Sequence, residues 1–229
     1  MKSFRTERHL VNTLKRSYAQ LCRWEQSEAK PSLNEEVNLG FGIADLVISR
    51  LASEVSAAAH ELTYFDFTIY KIIETSKRIT LEELRTASHS NPRTVQQTIK
   101  KLIAMSYVKR QDTILKISQR YRPVVKEAIA IEAKLRNWQR ALLQAYRYRW
   151  FADLVYVVLD SRYVKQAQLN VHKFRDLGIG LASINVSGEI DIIYRPKKIK
   201  PINEKMQLVF NEFVCKNYRE SKNVSHVPK

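Results

Sequence analysis

Two spacings of apolar residues alternate along the chain, one typical of amphipathic helices and the other of strands. Residues 4–24 place apolar side chains on one face with basic residues between them, which predicts a helix. Residues 35–42 and 43–49 are β-prone and flank a Gly-x-Gly turn, so they predict a hairpin. The alanine-rich residues 51–61 predict a connecting helix.

The segment 62–120 contains no glycine and has a different pattern. An apolar first helix is followed by a second that begins at Thr80, where Glu83 completes a capping box. A third helix begins after Asn91, a good capping residue followed by proline. Two short β-prone stretches within 107–117 then predict a hairpin. Three helices followed by a short hairpin predict a winged helix-turn-helix domain.

Beyond Pro123, strand and helix patterns alternate, which predicts an α/β fold. The predicted strands are 127–134, 153–159, 180–185 and 189–194, and the predicted helices are 137–149, 164–177 and 203–218. The last residues, 222–229, are polar and are expected to form a disordered tail.

The net charge of the chain limits the classes of molecule that it is expected to bind. The 229 residues include 39 Lys and Arg against 23 Asp and Glu, a formal net charge of +16, which favours binding to a polyanion such as DNA. No apolar run is long enough to span a bilayer, so we expect no membrane contact and a cytoplasmic location. Zinc-binding, P-loop, dinucleotide-binding and GxSxG motifs are all absent from the sequence.

Three charged residues stand where apolar residues are expected. Glu132 and Lys134 are two positions apart in a predicted strand, so they share one face. Asp45 lies within the apolar stretch 43–48, where a charge is costly unless it is paired or bound to a metal. The alternative is a solvated pair at a sheet edge and an aspartate in a turn.

These residues form an ordered set. Asp45 follows Ala44, Glu132-Ala133-Lys134 lies on a later strand, and Gln144 precedes Tyr148 by one helical turn. In this order the sequence resembles the PD-(D/E)xK nuclease superfamily and its RecB-like members, with Ala44 in place of the usual proline. The resemblance implies a catalytic role for Gln144 in orienting the scissile strand or the lysine. A surface amide and a core aromatic are the alternative for Gln144 and Tyr148.

The resemblance also implies the architecture, a restriction-endonuclease-like mixed sheet flanked by helices. Because 87 positions separate Asp45 from Glu132, we expect the winged helix domain to be inserted in the hairpin that joins their strands. The predicted domains are therefore a nuclease domain formed by 1–50 and 123–221, with 51–122 inserted.

For chemistry, the resemblance implies a metal-dependent DNA endonuclease, from a defence system or a mobile element. Asp45 and Glu132 would bind Mg²⁺, for which Mn²⁺ should substitute, and Lys134 would position the attacking water. Glu36 is a candidate further ligand, with its neighbour Glu35 as the alternative. A single site cuts one strand, so double-strand cleavage requires a homodimer or a partner subunit. A non-catalytic DNA-binding regulator and an RNA nuclease remain alternatives.

DNA contacts are expected on the third helix of the inserted domain and on its wing. The candidate residues are polar or basic side chains on the outer face of these elements: Arg93, Thr94, Gln97, Lys100, Lys101 and Arg110. The alternative is a protein-interaction module with a solvated basic face. The later basic run 197–200 is either a further DNA contact or a solvated loop.

Overall fold

The structure is a computed structural model that describes residues 3–22, 24, 31–52 and 61–224, with side chains described up to residue 221. The chain divides into two compact units. The first unit comprises Met1–Val55 and Val125–Gln207, and the second comprises Ser56–Val124 and Leu208–Lys229.

The first unit is built on a six-stranded mixed sheet flanked by helices, as predicted for an α/β fold. Its strands are β1 (Ser32–Asn38), β2 (Ile43–Leu51), β6 (Val125–Lys134), β7 (Leu154–Asp160), β8 (Gly180–Ile184) and β9 (Ile190–Tyr194). They lie side by side in the order β1-β2-β6-β7-β8-β9. The pairs β6–β7 and β7–β8 are parallel, and the remaining pairs are antiparallel.

The helices of this unit are α1 (Glu7–Ser17), α5 (Trp138–Tyr148), α6 (Lys165–Leu169) and α7 (Val171–Leu177). On one face of the sheet, Ile129 and Ile131 of β6 pack in one core cluster with Leu10 and Leu14 of α1. Helix α5 packs against β6 and β7. Because β6 is covered in this way, all of its residues from Ala128 to Ala133 are buried, Glu132 included.

The predicted hairpin at the start of the sheet is confirmed. Strands β1 and β2 pair antiparallel, with Leu33 opposite Ile48. The connection contains Gly40 and Gly42 at φ +95° and +153°, a backbone conformation that side chains with a Cβ rarely adopt. Glycine is therefore required at this turn.

The second unit contains three helices, a small sheet and most of a long C-terminal helix. Its elements are α2 (Tyr64–Ser76), β3 (Ile79–Thr80), α3 (Leu81–Ser88), α4 (Pro92–Ala104), β4 (Val108–Gln111), β5 (Ile114–Ile117) and α8 (Glu204–Val224). The strands form an antiparallel sheet in the order β3-β5-β4. The predicted capping box of Thr80 and Glu83 is present, and Asn91 caps α4 by accepting a hydrogen bond from Arg93 N at 2.9 Å.

Several elements differ from their predicted bounds. The helix expected over 164–177 is divided into α6 and α7 at Asn170. Helix α8 continues to Val224, so the predicted tail begins as helix, and residues 225–229 lie outside the described chain. The predicted helix at 51–61 also falls largely outside it, while Leu51 ends β2.

The assignment of α8 is the main difference in domain organisation. The sequence pattern placed 123–221 in one domain, whereas the compact second unit includes the chain from Leu208 onwards. Leu208 is buried in the same cluster as Phe67 and Leu102. A helical pattern shows that a helix has an apolar face, but it does not identify the core against which that face packs. None of the helices in the described part of the chain combines the length and apolar character needed to cross a membrane.

Candidate active site

The ammonium group of Lys134 lies among three carboxylates at the end of β6. Its Nζ is 3.0 Å from Oε1 of Glu132, 3.8 Å from Oδ2 of Asp45 and 3.2 Å from Oε2 of Glu7. The Lys134 side chain is 16% exposed and that of Glu132 is 1% exposed, whereas Asp45 is 27% exposed. The site is therefore open to solvent on the side of Asp45.

The pairing of β2 with β6 brings Asp45 and Glu132 together. Leu46 is paired with Ile131 in an antiparallel ladder, so Asp45 and Glu132 are the next residues along. Oδ2 of Asp45 accepts a hydrogen bond of 2.7 Å from the backbone N–H of Ala133. These contacts explain how two acids that are 87 positions apart share one site.

The charges of the site affect one another. Burial raises the pKa of Asp45 although the Ala133 N–H and the Lys134 ammonium oppose the shift, and burial and then the charge of Asp45 raise the pKa of Glu132. Burial lowers the pKa of Lys134, but its acidic neighbours outweigh this effect and the net shift is upward. The lysine is therefore held as a cation, while the two carboxylates repel each other.

Tyr148 anchors Glu132 from helix α5. Its hydroxyl oxygen lies 2.5 Å from Oε2 of Glu132 and 2.5 Å from the backbone oxygen of Ile43. Burial, together with the hydrogen bond and charge of Glu132, raises the pKa of Tyr148, so the phenol keeps its proton. The other carboxylate oxygen, Oε1, makes an ion pair with Lys134 but has no well-aligned hydrogen bond to any described residue.

Gln144 lies one turn before Tyr148 on α5, as predicted, and it is half-buried. Its amide oxygen, Oε1, is buried without a hydrogen-bond partner among the described residues. A buried acceptor without a donor is unfavourable by roughly 1–3 kcal/mol, so this oxygen can gain from a ligand that brings a donor.

In the antiparallel pairing of β1 with β2, Glu36 falls opposite Asp45, but Glu36 is exposed. Its backbone has φ +50°, which departs from the extended conformation of the flanking strand residues. Its charge contributes to the raised pKa of Asp45, so it is close enough to act on the site. Glu35, the alternative, forms an ion pair with Lys15.

Glu7 is the acid that sequence reasoning missed. It is the first residue of α1, directly after the capping residue Thr6, whose side chain accepts a hydrogen bond from His9 N. Asp160 holds the preceding segment, since its Oδ2 accepts a hydrogen bond of 3.3 Å from Phe4 N. An acid in the first turn of a helix is common because it interacts favourably with the helix dipole, so nothing local marked Glu7.

The predicted DNA-contacting residues fall into two groups. Arg93, Thr94, Gln97 and Lys100 are exposed on α4, and Arg110 is exposed on β4. Lys101 is different, because its ammonium contacts Oδ2 of the buried Asp66 at 2.8 Å and donates to the carbonyl of Glu61 at 2.9 Å. Lys101 is therefore bound within the unit.

The site has two carboxylates that could hold a metal ion, those of Asp45 and Glu132. Among the described residues, no group of three or more His, Cys, Asp or Glu side chains is arranged to hold a metal ion. The pair Asp45 and Glu132 offers hard carboxylate oxygens that lie no more than 6.8 Å apart, the sum of their distances to Lys134 Nζ. Mg²⁺ commonly binds through one or two carboxylates and keeps several waters, so this pair fits it.

Comparison with known proteins does not add to this geometry. No protein-family model, no curated protein and no solved structure matches the chain.

Proposed function

We propose that this protein is a magnesium-dependent DNA endonuclease whose active site is formed by Asp45, Glu132 and Lys134. One observation carries the proposal. Two acids distant in sequence lie on adjacent strands, and both contact the ammonium of one lysine, at 3.8 and 3.0 Å. Metal-dependent phosphodiester hydrolysis uses anionic ligands for the metal and is favoured by a cation near the phosphate, and this arrangement supplies both.

The carboxylate pair supports metal binding. Burial and then repulsion by Asp45 raise the pKa of Glu132, and a bound cation would relieve that repulsion. When bound, Mg²⁺ would neutralise phosphate charge and lower the pKa of a coordinated water. Manganese, which accepts the same oxygen ligands, should substitute.

The protein side chains have separate roles in this proposal. Tyr148 holds Oε2 of Glu132 and thereby leaves Oε1 as the oxygen that faces Lys134. Lys134 supplies a fixed positive charge for the phosphate oxygens and holds the attacking water by donating hydrogen bonds. Gln144 is proposed to orient the scissile strand, since its buried amide oxygen has no partner in the described structure.

For the first unit, the mixed sheet with helices on its faces supports a restriction-endonuclease-like scaffold. For the second, three helices followed by the β4–β5 hairpin support a winged helix. If this unit binds DNA as a winged helix, α4 enters the major groove through Arg93, Thr94 and Gln97, while Lys100 contacts phosphate. Arg110 on the hairpin would contact the backbone. The net charge of +16 favours such binding.

The test is cleavage of plasmid DNA in Mg²⁺, in Mn²⁺ and in EDTA. We expect wild-type protein to cut in both metals and not in EDTA. Asp45→Ala, Glu132→Ala and Lys134→Ala should each lower the rate by about 100-fold or more, because each removes a charge that stabilises the transition state. DNA affinity measured in EDTA should remain near that of wild type, since the basic surface supplies it.

Asp176→Ala is the matched control, because Asp176 is an exposed acid on α7 of the same unit. It should cut at the wild-type rate. Equal cleavage by wild type and the three site variants would contradict the proposal. Binding of DNA without cutting in either metal would instead indicate a regulator, and cutting of RNA alone would indicate a ribonuclease.

A further inference from the structure

A pocket lies in the first unit at the other end of strand β6 from the candidate active site. Its acidic residue, Glu127, is five positions before Glu132, which corresponds to about 16 Å along a strand. The cavity measures about 870 Å³ and is lined by residues that include Trp24, Arg50, Arg195 and Lys197. Its size is within the range of small-molecule sites, about 300–1,000 Å³. We call it the basal pocket.

The basal pocket carries an excess of positive charge. Arg50, Arg195, Lys197 and Lys198 line it, and Glu127 is its acid. Glu127 is already satisfied, because Oε2 contacts Lys198 Nζ at 2.7 Å and Oε1 accepts a hydrogen bond of 2.6 Å from Trp24 Nε1. Among the described residues, no ion pair within 4 Å neutralises the other three cations.

Arg50 has an unused hydrogen-bond donor beside this pocket. It stands directly opposite Glu127 in the β2–β6 ladder, and its Nε is buried without a hydrogen-bond partner in the described structure. Arg195 donates through Nη1 to the carbonyl of Leu21 at 3.1 Å, which leaves other guanidinium N–H groups free to bind a ligand. Guanidinium groups match the geometry of phosphate oxygens, so an oxyanion would satisfy these donors.

The remaining wall of the basal pocket is apolar and aromatic. It includes Leu21, Leu154 and Tyr156, which belong to or pack against the core of the first unit. The bond from Trp24 Nε1 to Glu127 fixes the indole ring at the edge of the pocket. An anion with a planar ring therefore fits this pocket better than a small inorganic ion does.

We propose that the basal pocket binds a nucleotide, with its phosphate at Arg50, Arg195 and Lys197 and its base against Trp24. A nucleotide with a 5′-phosphate can come from two sources, a free mononucleotide and the 5′-phosphorylated end of a DNA strand. Binding at this pocket does not depend on the proposed nuclease site, which lies at the opposite end of β6.

The experiment uses the full-length wild-type protein in EDTA, where cleavage does not interfere. Adenosine 5′-monophosphate, adenosine and inorganic phosphate are titrated separately by calorimetry. We expect saturable binding of the monophosphate with a Kd below about 1 mM, and binding at least about tenfold weaker for the other two probes. Equal affinity for the monophosphate and inorganic phosphate would overturn the proposal. So would the absence of saturable binding for both the monophosphate and a 5′-phosphorylated strand.

Two lysines of one loop provide a matched pair of variants. Lys197 lines the basal pocket, whereas Lys200 is exposed nearby and does not line it. Lys197→Glu should raise the Kd by about tenfold or more, while Lys200→Glu should change it by less than about twofold. Both variants are surface changes, and their thermal unfolding verifies the fold. Equal effects of the two substitutions would mean a general charge effect and would overturn the assignment to this pocket.

A competition arm distinguishes the two sources. Short DNA strands with a 5′-phosphate or a 5′-hydroxyl are added against bound adenosine 5′-monophosphate, again in EDTA. Displacement by the phosphorylated strand alone indicates that the terminal nucleotide is the ligand, and no displacement indicates a free nucleotide. Equal displacement by both strands places the contact on the internal phosphates and contradicts the proposal. Because no cleavage is measured, these results are independent of the endonuclease test.

Discussion

The hydroxyl oxygen of Tyr148 lies 2.5 Å from Oε2 of Glu132 and equally close to the carbonyl oxygen of Ile43. A phenol has one proton to donate, so the two oxygens are alternative acceptors for the proton of Tyr148. Burial and then the charge of Asp45 raise the pKa of Glu132. Tyr148 thus joins helix α5 to both strands of the candidate site.

Tyr148→Phe tests this contact. Removing the hydroxyl leaves Oε2 of Glu132 buried without its donor, so the carboxylate is no longer held in one orientation. We expect cleavage to fall by about tenfold with a higher Mg²⁺ concentration needed for half-maximal rate. DNA affinity in EDTA should not change. A loss of rate with an unchanged Mg²⁺ dependence would contradict a role in positioning Glu132.

Glu7→Gln tests the acid that the sequence did not identify. Oε2 of Glu7 contacts Lys134 at 3.2 Å, so the neutral amide should weaken the positioning of the ammonium group. We expect cleavage to fall by about threefold to tenfold, less than for Glu132→Ala, because Glu7 is 48% exposed. Glu35→Gln is the control, since Glu35 also pairs with a lysine, Lys15, away from Lys134. Equal rates for both variants would remove Glu7 from the site.

Lys100 and Lys101 are adjacent on α4 but should behave differently. Lys100 is exposed, so Lys100→Ala should weaken DNA binding and reduce the slope of log K against log salt by about one. Lys101 binds the buried Asp66 at 2.8 Å, so Lys101→Ala should lower the free energy of unfolding by about 1–3 kcal/mol. Salt-dependent binding and urea unfolding of both variants measure the two effects. The same effect from both substitutions would contradict this division.

Asp66 should make the stability of the protein depend on pH. Burial favours the protonated form, but hydrogen bonds from Lys101, Thr63 and Thr98 outweigh it and lower the pKa of Asp66. A pKa below that of the unfolded chain, about 3.9, means that the ionised form stabilises the fold. This stabilisation is complete above about pH 4 and is lost as the pH falls through the pKa of the folded state.

The variant Asp66→Asn isolates this contribution. Near neutral pH it should lower the free energy of unfolding by about 1–3 kcal/mol, and the difference from wild type should shrink as the pH falls below about 4. Glu82→Gln, which changes an exposed acid at the start of α3, is the control and should leave the free energy of unfolding near that of wild type. Urea unfolding followed at several pH values measures this. A constant difference between Asp66→Asn and wild type at all pH values would contradict the assignment.

Local patterns in the sequence determined most of the secondary structure. The hairpin of β1 and β2 follows from its glycine turn, and the start of α3 follows from the capping box of Thr80 and Glu83. The same holds for the common face of Glu132 and Lys134, because strand geometry places residues two positions apart on one side. Each of these features depends on residues that are close together in the chain, so it can be recognised from the sequence alone.

Tertiary structure alone decided which distant residues meet. Glu7 reaches Lys134 from a helix 127 positions earlier, and Lys101 is paired with the buried Asp66 on another helix. Leu208 joins the core of the second unit although its helix begins in the first. A repeating apolar pattern shows that one face of an element must be covered, and a charge in an apolar stretch shows that it must be paired. Which residues provide the cover or the opposite charge depends on packing and on strand pairing across the whole chain.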